Sequence, residues 1–409
     1  METTQHYDAV IVGAGAAGLF CAGIAGQRGL KVLLIDHSPK IAEKIRISGG
    51  GRANFTNRDV SAAHFISNNP HFCRSALNRY TPQQFMALME QHGIAYHEKH
   101  KGQLFCDRSA EDLIQLLLEA CKRGNVEIIS SCKILSIIKI ENYSENNCTT
   151  SYNLNIKKDE NKFLISSNSV VIATGGLSIP KIGATDFGYQ IARQFGLNLV
   201  EPRPALVPLT FDDADGLPYA ELAGLALPVL IETGNKKNKT SFAEDLLFTH
   251  RGLSGPAVLQ ISSYWVAGTP IRINWVPAID MTAHLLHAKI TSKKRIINEL
   301  AALMPTRLAE AFVAQDPALQ RPVNEASDKA LLQLAQRLNR WEITPTGTEG
   351  YKKAEVTAGG VDTRELSGQT MESRVPGLYF IGEVVDVTGW LGVTIFSGPG
   401  LAPLPVRRA

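Results

Sequence analysis

Residues 7–36 read YDAVIVGAGAAGLFCAGIAGQRGLKVLLID. The run opens with a short apolar stretch, passes through the glycine pattern GAGAAG, continues with helical spacing and ends in a second apolar stretch. Two buried strands joined by a helix are typical of a βαβ unit, whose strands run parallel and whose crossover is right-handed. The sequence therefore predicts an α/β fold with a Rossmann-like parallel sheet.

The glycines of this pattern have different expected roles. Gly13 allows a tight turn, Gly15 lets a pyrophosphate approach the backbone, and Gly18 lets the helix pack closely on the strand. The pyrophosphate would lie at the helix N-terminus, where free N–H groups and the helix dipole favour negative charge. Asp36 ends the second strand, where an acid accepts hydrogen bonds from a ribose diol. A glycine-rich turn without a ligand is the alternative, and the pattern alone does not separate FAD from NAD.

A second glycine-rich segment favours FAD. Residues 44–57 read KIRISGGGRANFTN, and three consecutive glycines flanked by Arg46 and Arg52 suggest backbone lying against an extended ligand. The positive charges of the two arginines would stabilise a bound diphosphate. A structural loop with a solvated charge pair is the alternative.

Two later segments extend the same interpretation. One strand ends in Thr174-Gly175-Gly176, which again places backbone close to a ligand. Another strand leads into Gly382-Glu383, and an acid after a strand and a glycine can bind the ribityl hydroxyls of a flavin. Together with the first two motifs, these segments predict a bound FAD.

The remaining pattern gives the expected organisation of the chain. Helices are predicted at 81–93 and 109–123, and strands at 126–140, 152–166 and 169–174, with the polar stretch 141–151 as a surface hairpin or mobile loop. The predicted domains are a first part of the FAD-binding domain at 1–195, an insertion at 196–345 with a β-rich part (196–280) and a helical part (281–345), and a return segment at 346–409.

Composition bounds the class of protein. The chain has 409 residues and a net charge of +3, which is too small to argue for nucleic acid or an anionic membrane surface. No run of 18 apolar residues and no signal peptide is seen, so a cytoplasmic protein with a small-molecule substrate is expected. Six cysteines are scattered without zinc spacing, which predicts free thiols and no metal site; a redox disulfide beside the flavin is the alternative.

The motifs together resemble the flavoproteins of the glutathione-reductase-like superfamily. More narrowly, SGGGRANFTN, ATGGLSIPKIGATDFG, FTHRGLSGPA and EVTAGGV resemble a bacterial family of NAD(P)/FAD-dependent oxidoreductases described as aminoacetone-oxidase-like or bile-acid-reductase-like. The resemblance covers residues 5–392 and implies an FAD domain interrupted by a β-barrel-like and a helical insertion. Ala53 stands where relatives commonly have a cysteine, so any role of that thiol is lost here.

The predicted FAD contacts come from these motifs and from the resemblance. They are Gly13, Gly15, Ala16, Ala17, Gly18, Asp36, His37, Lys44, Ser48, Gly49, Gly50, Arg52, Asn54, Ile134, Thr174, Gly175, Gly176, Gly382, Glu383, Asp386 and Gly392.

The catalytic prediction is less specific. His250 and Thr249 are the candidates, since histidine carries protons near neutral pH, although a lone histidine is more often structural. Ser254 is expected to cap the helix that Pro256 starts. A flavin performs the redox step itself, so no triad is required.

The expected activity is hydride transfer between the flavin and a small or medium organic substrate, with O2 or a transiently docked NAD(P)H as the other redox partner. Reduction of an unsaturated ring or side chain, and a flavin-binding protein with a lost or sensory activity, are the alternatives. The oligomeric state stays open.

The sequence after Gly392 departs from the family pattern. Relatives continue Gly-Tyr-Asn-Phe-Gln-Trp-Ala-Trp into a helix, whereas residues 393–409 read VTIFSGPGLAPLPVRRA. The genetic code allows a set of codons for Val393 to Arg408 that also carries a second amino-acid sequence. When one lost G is restored before these codons, the reading frame shifts by one base and they encode Gly-Tyr-Asn-Phe-Gln-Trp-Ala-Trp-Ala-Ser-Ala-Ala-Ala-Gly-Gln-Ala. We hypothesise a one-base deletion near residue 392, which removes a helix that points its positive end at the flavin and so weakens FAD retention.

Overall fold

A computed structural model of the chain describes residues 5–144, 147–211 and 219–392. The chain divides into two compact units. Unit 1 consists of Met1–Arg203 and Val356–Ala409, and unit 2 consists of Pro204–Glu355. The altered segment 393–409 lies outside the described residues.

The strands are numbered in chain order. They are β1 (Gln5–Val12), β2 (Val32–Ile35), β3 (Asn54–Asn57), β4 (Phe65–Ile66), β5 (Tyr96–His100), β6 (Gln103–Cys106), β7 (Glu127–Ile129), β8 (Cys132–Ser144), β9 (Asn147–Lys158), β10 (Asn161–Ile172), β11 (Leu199–Ala205), β12 (Leu209–Thr210), β13 (Ala226–Thr233), β14 (Thr240–Thr249), β15 (Gly252–Ser254), β16 (Ile271–Asn274), β17 (Trp341–Ile343), β18 (Gly347–Thr348), β19 (Val356–Val361), β20 (Leu378–Phe380) and β21 (Thr388–Gly389).

The helices are numbered in the same way. They are α1 (Ala16–Gln27), α2 (Glu43–Ile47), α3 (Arg74–Arg79), α4 (Pro82–Gln91), α5 (Ala110–Arg123), α6 (Phe187–Gln194), α7 (Tyr219–Leu222), α8 (Gly255–Ser262), α9 (Met281–Thr291), α10 (Ile296–Ala301), α11 (Thr306–Ala314) and α12 (Asp328–Asn339).

The main sheet of unit 1 has the strand order β7-β2-β1-β10-β9-β8, and β20 also pairs with β10. β1 runs parallel to β2 and β10, and β20 runs parallel to β10, as the βαβ pattern predicts. Both faces of such strands are covered, so they consist of continuous apolar residues: Val10, Ile11 and Val170–Ile172 are fully buried. The predicted Rossmann-like sheet is confirmed.

Helix α1 packs against α5 at unusually short range, because glycines face the contact. A Cβ at Gly23 would lie 3.0 Å from the Ala120 Cβ, and one at Gly26 would lie 2.4 Å from the Gly124 carbonyl oxygen. Helix α5 begins where Ser109 accepts a hydrogen bond from the Glu111 N–H, and its amphipathic pattern matches the predicted helix at 109–123. These contacts fix the N-terminus of α1 above the sheet.

The strands β8, β9 and β10 differ from their predicted bounds. The polar stretch 141–151 was predicted to be a surface hairpin or a mobile loop, and β8 and β9 pair through its described residues as a long antiparallel hairpin. Separate strands were predicted at 152–166 and 169–174, and the break between them is not observed. β10 runs unbroken to Ile172, and the turn between β9 and β10 lies at Asp159, which has a φ of +52°. Hairpin pairing satisfies the backbone of these polar residues, which composition alone does not reveal.

Unit 2 contains an antiparallel sheet with the order β17-β16-β13-β14-β15-β12-β18, followed along the chain by helices α9 to α12 and the last two strands. Its core centres on Trp275, whose ring lies 5.7 Å from Phe248, 5.8 Å from Phe312 and 5.4 Å from Trp341. Unit 2 begins at Pro204 rather than at residue 196, because β11 pairs with β19. Within the described ranges, no helix has the length and apolar character needed to cross a membrane.

Candidate cofactor and catalytic site

Two positions in the turn between β1 and α1 must be glycine, because neighbouring protein atoms leave no room for a side chain. Gly13 has a φ of +105°, and a Cβ there would lie 2.5 Å from the Ala173 carbonyl oxygen. A Cβ at Gly18 would lie 1.8 Å from the Gly13 carbonyl oxygen. The turn is therefore closed against β10 and against the first turn of α1, and no larger residue fits at either position.

Gly15 is different, and its surroundings test whether a ligand fits. Its φ of −85° is open to any residue, and no protein atom among the described residues lies within 4 Å of where its Cβ would be. It is the N-cap of α1 without a side-chain cap, so the first N–H groups of the helix, from Ala16 onward, lack an intrahelical partner. Neither backbone strain nor protein packing explains a glycine here, whereas a diphosphate approaching the helix end does.

Asp36 lies beside this turn at the end of β2. Its Oδ2 accepts the Ala14 N–H at 2.6 Å and its Oδ1 accepts the Ser38 N–H at 2.7 Å. The carboxylate is thus held in place, and each oxygen keeps a second lone pair for a ribose hydroxyl. His37 follows with its Nδ1 3.7 Å from the Asp36 carboxylate and half of its side chain exposed.

The segment 48–53 forms a left-handed loop. Gly49, Gly50 and Gly51 have φ angles of +58°, +68° and +85°. A Cβ at Gly49 would lie 2.8 Å from the Phe105 ring, whereas Gly50 faces open space. Ser48 Oγ donates to the Ile45 carbonyl oxygen at 2.8 Å, which closes the end of α2. Gly50 and Gly51, whose added Cβ would meet no atom closer than 4.0 Å, are thus the glycines of this loop that leave room for a ligand.

The two arginines beside this loop have different environments. Arg46 donates to Glu111 at 3.1 Å and to Glu43 at 3.3 Å. Because these two acids already pair with its charge, the geometry does not favour the expectation that Arg46 helps to neutralise a diphosphate. Arg52 is exposed, and no carboxylate of the described chain pairs with it. Arg52 is therefore the cation of this segment that remains available to an anionic ligand.

Lys44 and Glu383 meet across more than 300 residues of sequence. The Lys44 Nζ lies 2.5 Å from the Glu383 carboxylate and donates to the Ser178 Oγ at 2.6 Å. The other Glu383 oxygen accepts the Thr357 N–H at 2.9 Å. A Cβ at Gly176 would lie 2.5 Å from the Thr357 hydroxyl and 2.7 Å from Glu383. Glu383 is thus fixed within the protein, with its side chain one-fifth exposed.

Other predicted residues also come together at this edge of the sheet. A Cβ at Gly382 would lie 2.9 Å from the Ala17 Cβ, and one at Gly392 would lie 2.7 Å from the Asn54 side-chain amide. Gly175 has a φ of +73° and faces open space. These contacts gather the four motifs at the carboxyl ends of β1, β2, β10 and β20, where open α/β sheets bind their ligands.

Two predicted contacts lie in closed surroundings. Asp386 is buried, and its Oδ2 accepts the Asn68 N–H at 2.9 Å. Burial raises the pKa of its carboxyl above the usual value, and Asp362 adds to that effect. Ile134 pairs with Ile156 in the β8–β9 hairpin and is almost fully buried. The geometry gives both residues structural partners, and their contact with FAD stays a prediction.

The catalytic candidates lie in unit 2. His250 is exposed at the turn between β14 and β15, and Thr249 Oγ1 accepts the Arg251 N–H at 3.4 Å. Ser254 occupies the N-cap of α8 but makes no side-chain cap there, so the expected cap is wrong in its hydrogen bond although Pro256 does lie in the first turn. Nothing near His250 in unit 2 identifies a substrate.

The thiols of the described residues lie in buried surroundings. Cys21, Cys73, Cys106, Cys121 and Cys132 are free and buried. Burial raises the pKa of Cys106 and Cys121 to about 12, so neither is a thiolate at neutral pH. The redox disulfide that sequence left open has no pair among these five; the side chain of Cys148 lies outside the described residues.

Sequence reasoning missed two residues of this site. Ser178 is fully buried and bridges Lys44 and Glu383, and it follows the Gly175-Gly176 pair closely enough to have been suggested by it. Gln103 lies against Gly392, and nothing in its sequence context signals that contact. The glycines Gly359 and Gly360 admit the Glu201 and Val384 carbonyl oxygens, each 2.4 Å from the Cβ that a larger residue would carry.

A parallel sheet, a glycine turn at a helix end without a side-chain cap and a fixed acid after the second strand define a dinucleotide-binding protein of the Rossmann type. The glycine loop at 48–53 together with Glu383 favours FAD as the dinucleotide, and an FAD-dependent oxidoreductase as the class of enzyme. The chain belongs to the HI0933-like family, whose model, described as the HI0933-like protein Rossmann domain, matches residues 7–396. The expected membership of an FAD-dependent oxidoreductase family is thereby confirmed.

The chain is similar to several characterised proteins. It is 48% identical to the ribosomal RNA dihydrouridine synthase of Escherichia coli strain K12, over 95% of this chain and 94% of the relative. It is 44% identical, over the same shares, to the ribosomal RNA dihydrouridine synthase of Haemophilus influenzae. A 3-dehydro-bile acid delta(4,6)-reductase of Clostridium scindens is 26% identical over 93% of each chain.

Among solved structures, a 3-ketosteroid-delta4-(5alpha)-dehydrogenase from Rhodococcus jostii RHA1 covers 98% of this chain and 96% of its own with 12% identity and a TM-score of 0.48. A likeness of that degree carries no functional argument. The two more similar relatives are named for a reaction on ribosomal RNA, which stands against the expectation that no nucleic acid is a partner.

Proposed function

We propose that this chain is a flavin-dependent reductase that converts uridine in ribosomal RNA to dihydrouridine. The observation that carries the proposal is its identity of 48% and 44% to two proteins of that name along nearly the whole of both chains. The cofactor residues at the carboxyl edge of the unit 1 sheet agree with it, since the reaction requires a two-electron donor.

The reaction sets the chemical requirements. Saturation of the uracil C5=C6 bond adds a hydride at C6 and a proton at C5, while NAD(P)H supplies the two electrons and leaves as NAD(P)+. FAD, when bound, supplies hydride chemistry between these two partners. The protein has to hold the cofactor, exclude oxygen-linked side reactions and bring a proton to the ring.

The described residues divide these tasks. The open helix end at Gly15 and the unpaired Arg52 bind the diphosphate, and Asp36 binds the ribose. The Lys44–Glu383 pair fixes the flavin side of the cradle through Ser178 and the Thr357 N–H. His250, an exposed imidazole, is the candidate for proton delivery.

A small-molecule reductase is the second candidate. The Clostridium scindens relative is named for reduction at the delta(4,6) positions of a bile acid, so it too saturates a carbon–carbon double bond. This function agrees with the substrate class expected from sequence. Its lower identity of 26% makes it the weaker of the two.

The deciding experiment uses the purified chain loaded with FAD, incubated without oxygen with unmodified ribosomal RNA and NADH or NADPH. Nucleoside mass spectrometry should show dihydrouridine in amounts equal to the NAD(P)H consumed. NAD(P)H consumption without any dihydrouridine, or reduction of unsaturated bile acids only, would contradict the RNA proposal. A chain that binds no FAD at all would favour the inactive alternative.

A further inference from the structure

Four cations lie together on the helical part of unit 2. Lys293, Lys294 and Arg295 precede α10, and Arg321 lies two residues before the Val323–Glu325 turn; all four side chains are exposed. We call them the basic cluster. Apart from this cluster, Lys and Arg do not outnumber Asp and Glu in residues 204–355, so the grouping does not follow from a basic composition.

The backbone holds the two segments of the basic cluster side by side. The Ile296 N–H donates to the Arg321 carbonyl oxygen at 3.1 Å, and the Val323 N–H donates to the Lys294 carbonyl oxygen at 2.9 Å. Arg295 and Pro322 form an antiparallel bridge between these bonds. Residues separated by more than 25 positions therefore present their charges on one small area of surface.

No acid compensates these charges in the part of the chain that the structure describes. None of the four cations has a carboxylate oxygen within 4.0 Å, and Arg295 donates instead to the Gln320 carbonyl oxygen at 3.2 Å. The nearest acid along α10, Glu299, accepts the Ser292 hydroxyl at 2.5 Å. Elsewhere in unit 2 cations do find acids, as Arg272 does with Glu342 at 2.7 Å and Lys289 with Asp328 at 2.5 Å.

We propose that the basic cluster binds the phosphate backbone of the RNA substrate. The inference rests on the proposed function, because it assigns to unit 2 the anchoring of the polymer around the reacting uridine. Like charges held together repel one another, and a row of phosphates relieves that repulsion while releasing condensed counterions. The cations stand on two bridged turns and not on the polar face of an amphipathic helix, which favours a phosphate chain over a membrane surface.

The test compares two proteins in which exposed cations are replaced by glutamine, one inside and one outside the basic cluster. One protein carries Lys293→Gln, Lys294→Gln and Arg321→Gln; Arg295 is left because its guanidinium bonds the backbone. The control carries Lys236→Gln and Lys237→Gln in the exposed turn between β13 and β14, where neither lysine has an acid partner among the described residues. Both proteins should fold and bind FAD as the parent does.

Binding of a fluorescein-labelled oligouridylate is measured by anisotropy from about 50 to 200 mM salt. Loss of three phosphate contacts should reduce the slope of log K against log[salt] by about 2, at roughly 0.7 for each contact to a single strand, and should weaken low-salt binding more than 10-fold. The control should stay within about twofold of the parent. An unchanged slope in the triple variant overturns the proposal.

Two further readouts separate this inference from the proposed function. If the parent forms dihydrouridine and the triple variant does so with an unchanged KM for ribosomal RNA, the function stands and the basic cluster is not its anchor. If the parent forms none, the function itself fails. Binding to phosphatidylserine vesicles that is lost in the triple variant, with oligouridylate binding unchanged, would assign the cluster to a lipid surface and overturn the inference.

Discussion

Gly15 is a single residue at which a substitution is expected to weaken cofactor binding without weakening the fold. Replacing it by aspartate puts a strong N-cap residue at the start of α1 and a negative charge where the diphosphate would lie. We expect Gly15→Asp to leave the apo protein as stable as the parent, or up to about 1 kcal/mol more stable. FAD affinity should fall by roughly 100-fold or more, since facing like charges cost several kcal/mol.

Thermal unfolding of the apo protein and FAD titration by fluorescence measure the two effects. Gly18→Ala is the matched control with the opposite expectation, because its Cβ would lie 1.8 Å from the Gly13 carbonyl oxygen. It should lower the Tm of the apo protein. Unchanged FAD affinity in Gly15→Asp would show that the diphosphate does not bind at this helix end.

Asp386 predicts a pH dependence of stability. Its folded-state pKa is raised above the ordinary value of 3.8, mainly by burial, so its protonated form is favoured in the folded chain. The stability that the protonated carboxyl contributes is fully present below that ordinary value and is lost as pH rises through the raised pKa. Asp386→Asn does not titrate, so its Tm relative to the parent should rise as pH increases from about 4 toward neutrality.

Differential scanning calorimetry at several pH values checks this prediction, with the Tm difference between the two proteins as the readout. Subtracting the parent removes the titration of the other carboxyl groups. A difference that is constant with pH would show that Asp386 has an ordinary pKa.

Single residues differ in how far sequence could place them. Gly13, Gly15 and Gly18 were assigned separate roles from their spacing alone, and their backbone angles and neighbours agree with those roles. Arg46 could not be placed, because its acid partner Glu111 comes from another helix. A motif encodes local backbone geometry, whereas an ion pair depends on which elements the fold brings together.

At the scale of elements, the contact between α1 and α5 predicts a size limit. A Cβ at Gly26 would lie 2.4 Å from the Gly124 carbonyl oxygen and 2.8 Å from a Val126 methyl. Gly26→Ala should therefore destabilise unit 1 by about 1–3 kcal/mol through overpacking, although alanine has the higher helix propensity. The Tm should fall by several degrees.

Gly347→Ala provides the control for this prediction. Its Cβ would meet only the Thr210 hydroxyl, at 3.3 Å, and a side chain can move where a backbone carbonyl cannot. Chemical denaturation of both variants gives the comparison. Equal stability of Gly26→Ala and the parent would mean that α1 shifts on the sheet at no cost.

Elements with strong local signals were predicted well, and paired strands were not. Helix α4, predicted at 81–93, begins at Pro82 with a Thr81 cap, and such capping depends on neighbours in sequence. The β8–β9 hairpin extends through polar residues because each strand satisfies the other's backbone, and that partner is invisible to a local pattern.

At the scale of the whole molecule, net charge does not report how charges are distributed over the surface. The net charge of +3 gives no sign of the basic cluster, which forms only when residues 293–295 and Arg321 are bridged. The insertion was predicted to begin at residue 196, whereas unit 2 begins at Pro204, and β11 pairs with β19. Sequence composition locates a domain more readily than it locates a border.

The altered tail gives a prediction at the same scale. Replacing residues 393–408 by the sixteen residues of the second reading frame should raise the fraction of purified chains that carry FAD and improve their solubility. The ratio of absorbance at 450 nm to that at 280 nm after dialysis measures retention, and a scrambled version of the restored segment is the control. Equal FAD retention in the parent, the restored protein and the scrambled control would show that the tail does not contribute to cofactor binding.

The interruption of unit 1 by unit 2 has a consequence for synthesis on the ribosome. β10 ends at Ile172, but β20, which completes its parallel pairing, begins at Leu378. At roughly 5–20 residues per second, the translating ribosome needs about 10–40 s to supply that strand. During this interval the nascent chain exposes an unpaired apolar edge and lacks the carboxylate that will meet Lys44. The emerging polypeptide is thus a natural client for chaperones, and slower translation of unit 2 lengthens its exposure to aggregation.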